Sequence, residues 1–219
     1  MIEFNEKEWK GRVMVAVNND KELVIIEDFI PIEALIRPGY VNNDKKYIVI
    51  HNTGNYAKDS DAALHALYLH NQAASSSPRE ASWHYTVDDK VVYYHIPDNE
   101  NAWHASDGNF GNGNYHGIGI EICVNGFPEV YSGAAYENWL VQFKATLDNA
   151  AKLTAHLMVK YDLDMTSIKQ HYDFARDKKN CPMQMRWNSK TQTFERDTGD
   201  MWIYFLERTE EEWKKLENK

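Results

Sequence analysis

The sequence predicts an α/β fold: one domain with a mixed central β-sheet flanked by helices. Three observations lead there. Short apolar strands alternate with helix-spaced segments along the chain. One of them, "DKKYIVIHNTGN", is apolar on both faces, as central strands are. The chain has 219 residues, 43% of them hydrophobic, enough to bury one sizeable core.

Each element has its own signal. "GRVMVAVNNDKELVII" reads as two short strands about an Asn-Asn-Asp turn. "SDAALHALYLHNQAA" has helical spacing, with Ala63, Leu67 and His70 on one side and Asp61 in the first turn. "SWHYTVDDKVVYYHIP" reads as a hairpin turning at Asp88-Asp89-Lys90. The Gly- and Asn-rich "SDGNFGNGNYHG" reads as a mobile connector, or as a rim offering amides to sugar and peptide. "GIGIEICVN" is a strand. Residues 136–161 form the clearest helix, with Trp139, Phe143, Leu147, Ala150, Ala151, Leu157 and Met158 near 3.6 spacing. "DMWIYFLERTEEEWKKL" is a terminal helix whose late Lys214 and Lys215 suit the helix dipole. Its Trp202, Tyr204, Phe205 and Trp213 either pack on the domain or bind a partner.

Charge and composition exclude several classes. The net charge of −9 comes without a basic patch, which argues against nucleic acid. An acidic surface gains nothing from anionic lipid or anionic wall polymer, so an anionic target must be held by a shaped site. Two cysteines are too few for a disulfide framework. The start "MIEFNEKEWKGR" has no apolar stretch of the signal-peptide kind. No apolar run approaches the roughly 18 residues of a transmembrane segment. The expectation is a chain made in the cytosol.

Four positions carry chemistry. In "GIGIEICVN", Ile118, Ile120, Ile122 and Val124 share one face and Gly119, Glu121 and Cys123 the other. A mid-strand carboxylate is costly to bury alone. Glu121 is therefore either solvated or paired, or it is a general base on a cleft floor, with Gly119 admitting substrate beside it. Cys123 reads as a space-filling residue. His51 ends the apolar strand, where α/β sites tend to form, although a lone histidine there is commonly structural. With His171 and Cys181 it completes a His, His, Cys set, which suits a catalytic zinc with a fourth position left for water. Lys178 and Lys179 lie beside the thiol, where a cation favours the thiolate. Trp83, His84 and His104 are lesser candidates, either lining a cleft or ordering its loops. His65, His70, His95, His116 and His156 read as structural or surface residues.

In chain order these residues resemble the zinc-dependent N-acetylmuramoyl-L-alanine amidases, a family related to peptidoglycan recognition proteins and phage amidase lysozymes. "IVIHNTGN" resembles the strand of the first ligand, and "SWHYTVDDKVVYYHIP" and "NAWHAS" the following hairpin and loop. "HGIGIEICVN" is similar to the strand of the catalytic Glu, and "HYDFARDKKNCP" to the segment carrying the second ligand, a lysine and the third ligand. "IIEDFIPIEALIRPGY" resembles the lead-in of bacterial and phage members. The resemblance covers residues 24–187, leaving 1–23 as an N-terminal extension, read as a hairpin, and 188–219 as a helical extension.

The resemblance implies one Zn²⁺ on His51, His171 and Cys181, with Glu121 as general base and Lys179, rather than Lys178, at the oxyanion. It implies hydrolysis of the amide between the lactyl group of N-acetylmuramic acid and L-alanine of the stem peptide. Trp83, His84 and His104 would then touch peptidoglycan or a muropeptide. A wall target without a leader suits an endolysin released through a membrane lesion. Three alternatives use the same residues: a noncatalytic peptidoglycan-binding module, a cytosolic muropeptide-recycling amidase, and a metal-free thiol hydrolase with Cys181 as nucleophile and His171 as base.

Overall fold

The computed structural model describes residues 12–18 and 21–217. In chain order these form β1 (Arg12–Asn18), β2 (Lys21–Glu27), β3 (Tyr47–Asn52), α1 (Ala62–Ala73), β4 (Tyr85–Val87), β5 (Val92–Tyr94), α2 (Asn112–His116) and β6 (Gly117–Ile122). There follow α3 (Gly133–Tyr161), β7 (Ile168–Gln170), α4 (His171–Phe174), β8 (Trp187–Asn188), β9 (Thr193–Phe194) and α5 (Asp200–Glu217).

The central sheet runs β1-β2-β5-β4-β6-β3-β7. Strands β4, β6, β3 and β7 are mutually parallel. The β4–β5 hairpin is antiparallel, β2 lies parallel to β5, and β1 antiparallel to β2. The mixed sheet with flanking helices is the architecture the alternation of elements predicts. The apolar β3 is indeed interior, with β6 on one side and β7 on the other. Asn19 and Asp20 of the expected first turn lie outside the described residues.

One face of the sheet meets the long helix. Ile48 and Ile50 of β3 and Ile118, Ile120 and Ile122 of β6 are wholly buried against Phe143, Leu147, Ala150 and Met158 of α3. Burying each such side chain contributes about 1.5–3 kcal/mol before the entropy of ordering is charged against it. Helix α5 adds Met201, Trp202 and Phe205 to the same core, with Tyr204 and Trp213 packed against it. The aromatic cluster of the terminal helix is thus occupied by its own domain.

The opposite face carries α1 and the site. Here the phase of α1 differs from the sequence reading. Its buried stripe is Ala62, His65, Ala66 and Leu69, while Leu64, Leu67 and Tyr68 are exposed. Asp61 is the N-cap, its side chain accepting from the Leu64 N–H at 3.0 Å, rather than a first-turn residue. The hairpin turn is secured by Asp88, whose carboxylate takes the N–H groups of Lys90 and Val91 and reaches across to that of Ala62. Residues 106–117 are not a plain connector, because α2 lies within them. Strands β7, β8 and β9 are two or three residues long, too short to show a period. Among the described residues no helix is long and apolar enough to cross a membrane.

Candidate metal centre and active-site cleft

Parallel pairing brings the chemistry together. In the β3–β6 register His51 stands directly beside Glu121, on the face opposite the isoleucines. On the other side of β3, Gln170 pairs with Ile50, so the next residue, His171, leaves β7 level with His51. His171 opens α4, whose start is fixed by reciprocal side-chain bonds between Gln170 and Asp173. Arg196 holds the Asp173 carboxylate through Nε at 2.7 Å and accepts the Gln170 amide on its backbone oxygen. The chain then returns from the 175–180 turn, and the Tyr172 N–H binds the Cys181 carbonyl at 3.0 Å. That bond delivers Cys181 to the end of β3, where its Sγ accepts the Asn52 N–H at 3.1 Å.

The donor atoms of His51, His171 and Cys181 all lie within 4.8 Å of one another. The Nδ1 atoms of His51 and His171 face each other at 3.0 Å. Two nitrogens and a sulfur at such spacing match the donor types and ~2.0–2.3 Å bond lengths of tetrahedral zinc. Burial, then neighbouring His171 and His104, holds His51 well below its ordinary range. Burial and then Lys179 hold His171 down to about 4. Both imidazoles are therefore neutral, the form that ligates. Both cysteines are free, so no disulfide competes for Cys181.

The thiol departs from the sequence expectation. Burial, with Glu121 adding to it, pushes Cys181 up, and the Asn52 N–H, Lys179 and Arg186 pull it back only in part. A lysine nearby does not by itself keep this sulfur anionic; a coordinated cation would.

Glu121 faces the cleft beside this trio, with Oε1 at 4.0 Å from His51 Nδ1. Its Oε2 is buried with no hydrogen-bond partner among the described residues. Burial pushes the carboxyl up to about 8, against the pull of Arg79 and then Lys179. The cleft itself encloses about 970 Å³ and is walled by Leu64 and Tyr68 of α1, by Arg79 and Trp83, and by Trp103 and Asn109. Lys179 lines it and Lys178 does not.

The lesser candidates separate. Trp83 reaches the cleft, but most of its ring is buried among Ile30, Ile36, Leu69 and Ile96, with its indole N–H donated to Thr86 at 2.7 Å. His84 is not brought to the cleft. It is wholly buried, with Nδ1 accepting the Gly119 N–H and Nε2 bonded to the Glu100 carbonyl. His104 lines the cleft and sits 3.1 Å from the far nitrogen of His51. Gly119 does not open the strand to substrate: a Cβ there would lie 2.7 Å from the His104 ring, so the space is filled by protein. His65, read as structural, also reaches the cleft wall. Arg79 has no sequence signal, and Ser106 and Asn114 were read only as part of the 106–117 rim, because no periodicity or ligand spacing marks a lone polar residue.

Comparison with known proteins gives one consistent answer. The profile described as "N-acetylmuramoyl-L-alanine amidase" matches residues 42–184. The chain is similar to N-acetylmuramoyl-L-alanine amidase XlyA of Bacillus subtilis (strain 168), 40% identical over 167 residues, covering 75% of this chain and 49% of that protein. It is similar to CwlH of the same organism, 37% identical over 169 residues, covering 76% and 59%. Thus it spans about half the length of the curated relatives it matches. Among solved structures, the catalytic domain of XlyA superposes with a TM-score of 0.63 at 38% identity, covering 84% of this chain and 98% of that one.

Proposed function

The chain belongs to the N-acetylmuramoyl-L-alanine amidase family, and from that premise we propose that it hydrolyses the amide between the lactyl group of N-acetylmuramic acid and L-alanine of the stem peptide. One observation carries the reading: the donor atoms of His51, His171 and Cys181 within 4.8 Å of one another, beside a buried carboxylate. We propose residues 24–187 as the catalytic unit, peptidoglycan or its muropeptides as substrate, and the cell wall as the place of action.

The amide is a poor electrophile with a poor leaving group, and the residues answer both defects. His51, His171 and Cys181 would hold one zinc ion. Bound there, zinc supplies Lewis acidity toward a carbonyl oxygen and lowers the pKa of water. Glu121 takes the proton of the attacking water and passes it to the departing amine nitrogen. Its unpartnered oxygen, on the cleft wall beside the ligands, suits a group that must both accept and release a proton. Lys179, on the same wall, steadies negative charge as it develops on the carbonyl oxygen. The exposed apolar Leu64, Leu67 and Tyr68 offer a surface to the substrate's peptide and sugar faces. Trp83 and His104 border the same space.

The test uses the whole chain and purified peptidoglycan. Mass spectrometry of the products is expected to show glycan whose lactyl groups carry free carboxylates and peptides beginning with free L-alanine. A chelator should abolish this and added zinc restore it. His51→Ala, His171→Ala and Cys181→Ser should each lower bound zinc. Binding to wall without release of peptide would instead identify a noncatalytic module. Turnover that survives the chelator would identify the thiol hydrolase, a reading already weakened by the raised thiol of Cys181.

A further inference from the structure

We propose that residues 104–114 form an outer clamp that fixes the proton position and aim of both imidazoles of the metal centre, with Asn114 as its keystone. The inference rests on the metal reading given above. An imidazole that offers Nδ1 to an ion keeps its proton on Nε2, and that proton needs an acceptor. For His51 the acceptor is His104 Nδ1, 3.1 Å from His51 Nε2. For His171 it is the hydroxyl of Ser106, with Oγ 3.3 Å from Nε2, and the Ala105 backbone of the same loop bonds this imidazole too. The two acceptors stand two residues apart on one loop, so a single segment addresses both ligands from behind.

The loop does not hold itself there. The Oδ1 of Asn114 accepts the N–H groups of His104 at 2.8 Å and Ala105 at 2.6 Å. Its amide nitrogen donates to the Gly108 carbonyl at 3.0 Å. Asn114 is buried, and is anchored in turn by Asp107, whose carboxylate takes the N–H groups of Gly113 and Asn114. Two glycines let the clamp lie flat. A Cβ at Gly119 would press on the His104 ring at 2.7 Å, and one at Gly113 on the Ala105 side chain at 2.4 Å. The His104 ring is further wedged edge-on against His51 and His84. Ser106 is held at φ 61°, a conformation a serine does not adopt freely, and there its hydroxyl meets His171. Both acceptors are neutral, so the clamp aims the ligands without adding charge to the site. His104 is thus a positioning residue.

The experiment measures the zinc dissociation constant of the whole chain by competition with a chromophoric chelator, alongside melting of the metal-free protein. His104→Phe keeps a ring but removes the acceptor, and should weaken zinc about 10–100-fold. His104→Asn, which can return an oxygen near the Nδ1 position, should recover most of that loss. Asn114→Leu should weaken zinc comparably, and the double variant His104→Phe/Asn114→Leu should be no worse than the weaker single. Ser106→Ala, at the surface, should cost a smaller factor without lowering the melting temperature. If the parent binds one zinc and His104→Phe binds it equally tightly, the clamp is overturned while the metal reading stands. If His104→Asn is as weak as His104→Phe, returning an acceptor does not restore the ligand and the clamp is again overturned. A parent that takes up no zinc overturns the metal reading, and the clamp with it.

Discussion

Along β3 and β6, Ile48, Ile50, Ile118, Ile120 and Ile122 point toward α3, while Val49, His51, Gly119 and Glu121 lie on the opposite face, the one that carries the cleft. The two faces share a backbone and a register, yet they are finished differently. On the isoleucine face these side chains meet other apolar groups. On the cleft face Glu121 keeps an oxygen without a partner among the described residues, and three imidazoles, His51, His104 and His171, crowd together beside it. Buried polar atoms without partners cost about 1–3 kcal/mol each, so they persist where a ligand or a reaction completes them. One face is packed by apolar side chains; the other gathers polar groups that a ligand would complete.

The sharpest way to break that contrast is to complete the cleft face artificially. Glu121→Gln removes the proton acceptor at constant shape. Turnover of peptidoglycan should fall about 10²–10⁴-fold while zinc uptake and melting temperature hold or rise. A variant with near-normal turnover would remove Glu121 from the mechanism. Lys179→Met should come next, lowering kcat about 10²–10³-fold with little change in zinc affinity. Lys178→Met, off the cleft, should leave kcat within error. Equal losses in the two would mean that the lysines act through general charge rather than through a held oxyanion.

The same contrast explains what could be read in advance. Apolar periodicity marked β6 and α3, because burial of one face writes a repeat into the sequence, while β3 stood out as apolar on both faces and α5 by its charge pattern. His51 stood out at a strand end, Glu121 as a costly carboxylate in mid-strand, and His171 and Cys181 as ligand types about a polar loop. The phase of α1 was not legible: its outward Leu64, Leu67 and Tyr68 are as apolar as its buried stripe, because that side faces the cleft rather than water alone. Nor was the role of residues 106–117. Asn114 holds the His104 loop through tertiary hydrogen bonds that leave no spacing, and α2 spans only five residues. His84, a cleft candidate from the sequence, pairs with Gly119 on the Glu121 side of the sheet, but the His104 ring packs over it and it does not reach the cleft.

Buried histidines away from the cleft give a smaller, pH-dependent effect. His95 is wholly buried, and burial, with His70 adding, holds it down to about 3. Its Nε2 meets the Thr86 hydroxyl at 2.9 Å, and the oxygen of that hydroxyl already accepts the Trp83 indole. The folded value lies below the ordinary 6.5, so His95 contributes stability that is whole above pH 6.5 and is lost as pH falls toward 3. Urea unfolding across that window should show stability dropping by up to ~1.4 kcal/mol per pH unit for this group. His95→Phe should flatten the slope; an unchanged slope would mean that other groups set the acid limit.

The finest test lies on the apolar face, at Ile48. It is wholly buried and pairs with Ile118 and Ile168, near the start of its strand and far from the ligands at the other end. Ile48→Val removes one methyl group, so the cost is the lost transfer energy plus a small cavity, about 0.5–1.5 kcal/mol in chemical denaturation. Because α3 and the neighbouring isoleucines can close part of that gap, the lower half of the range is expected. Turnover per folded molecule and zinc affinity should not change. If this deletion altered either one, the two faces would be mechanically coupled through β3, and the sheet could no longer be treated as a rigid partition between a self-sufficient core and a site that awaits its ligand.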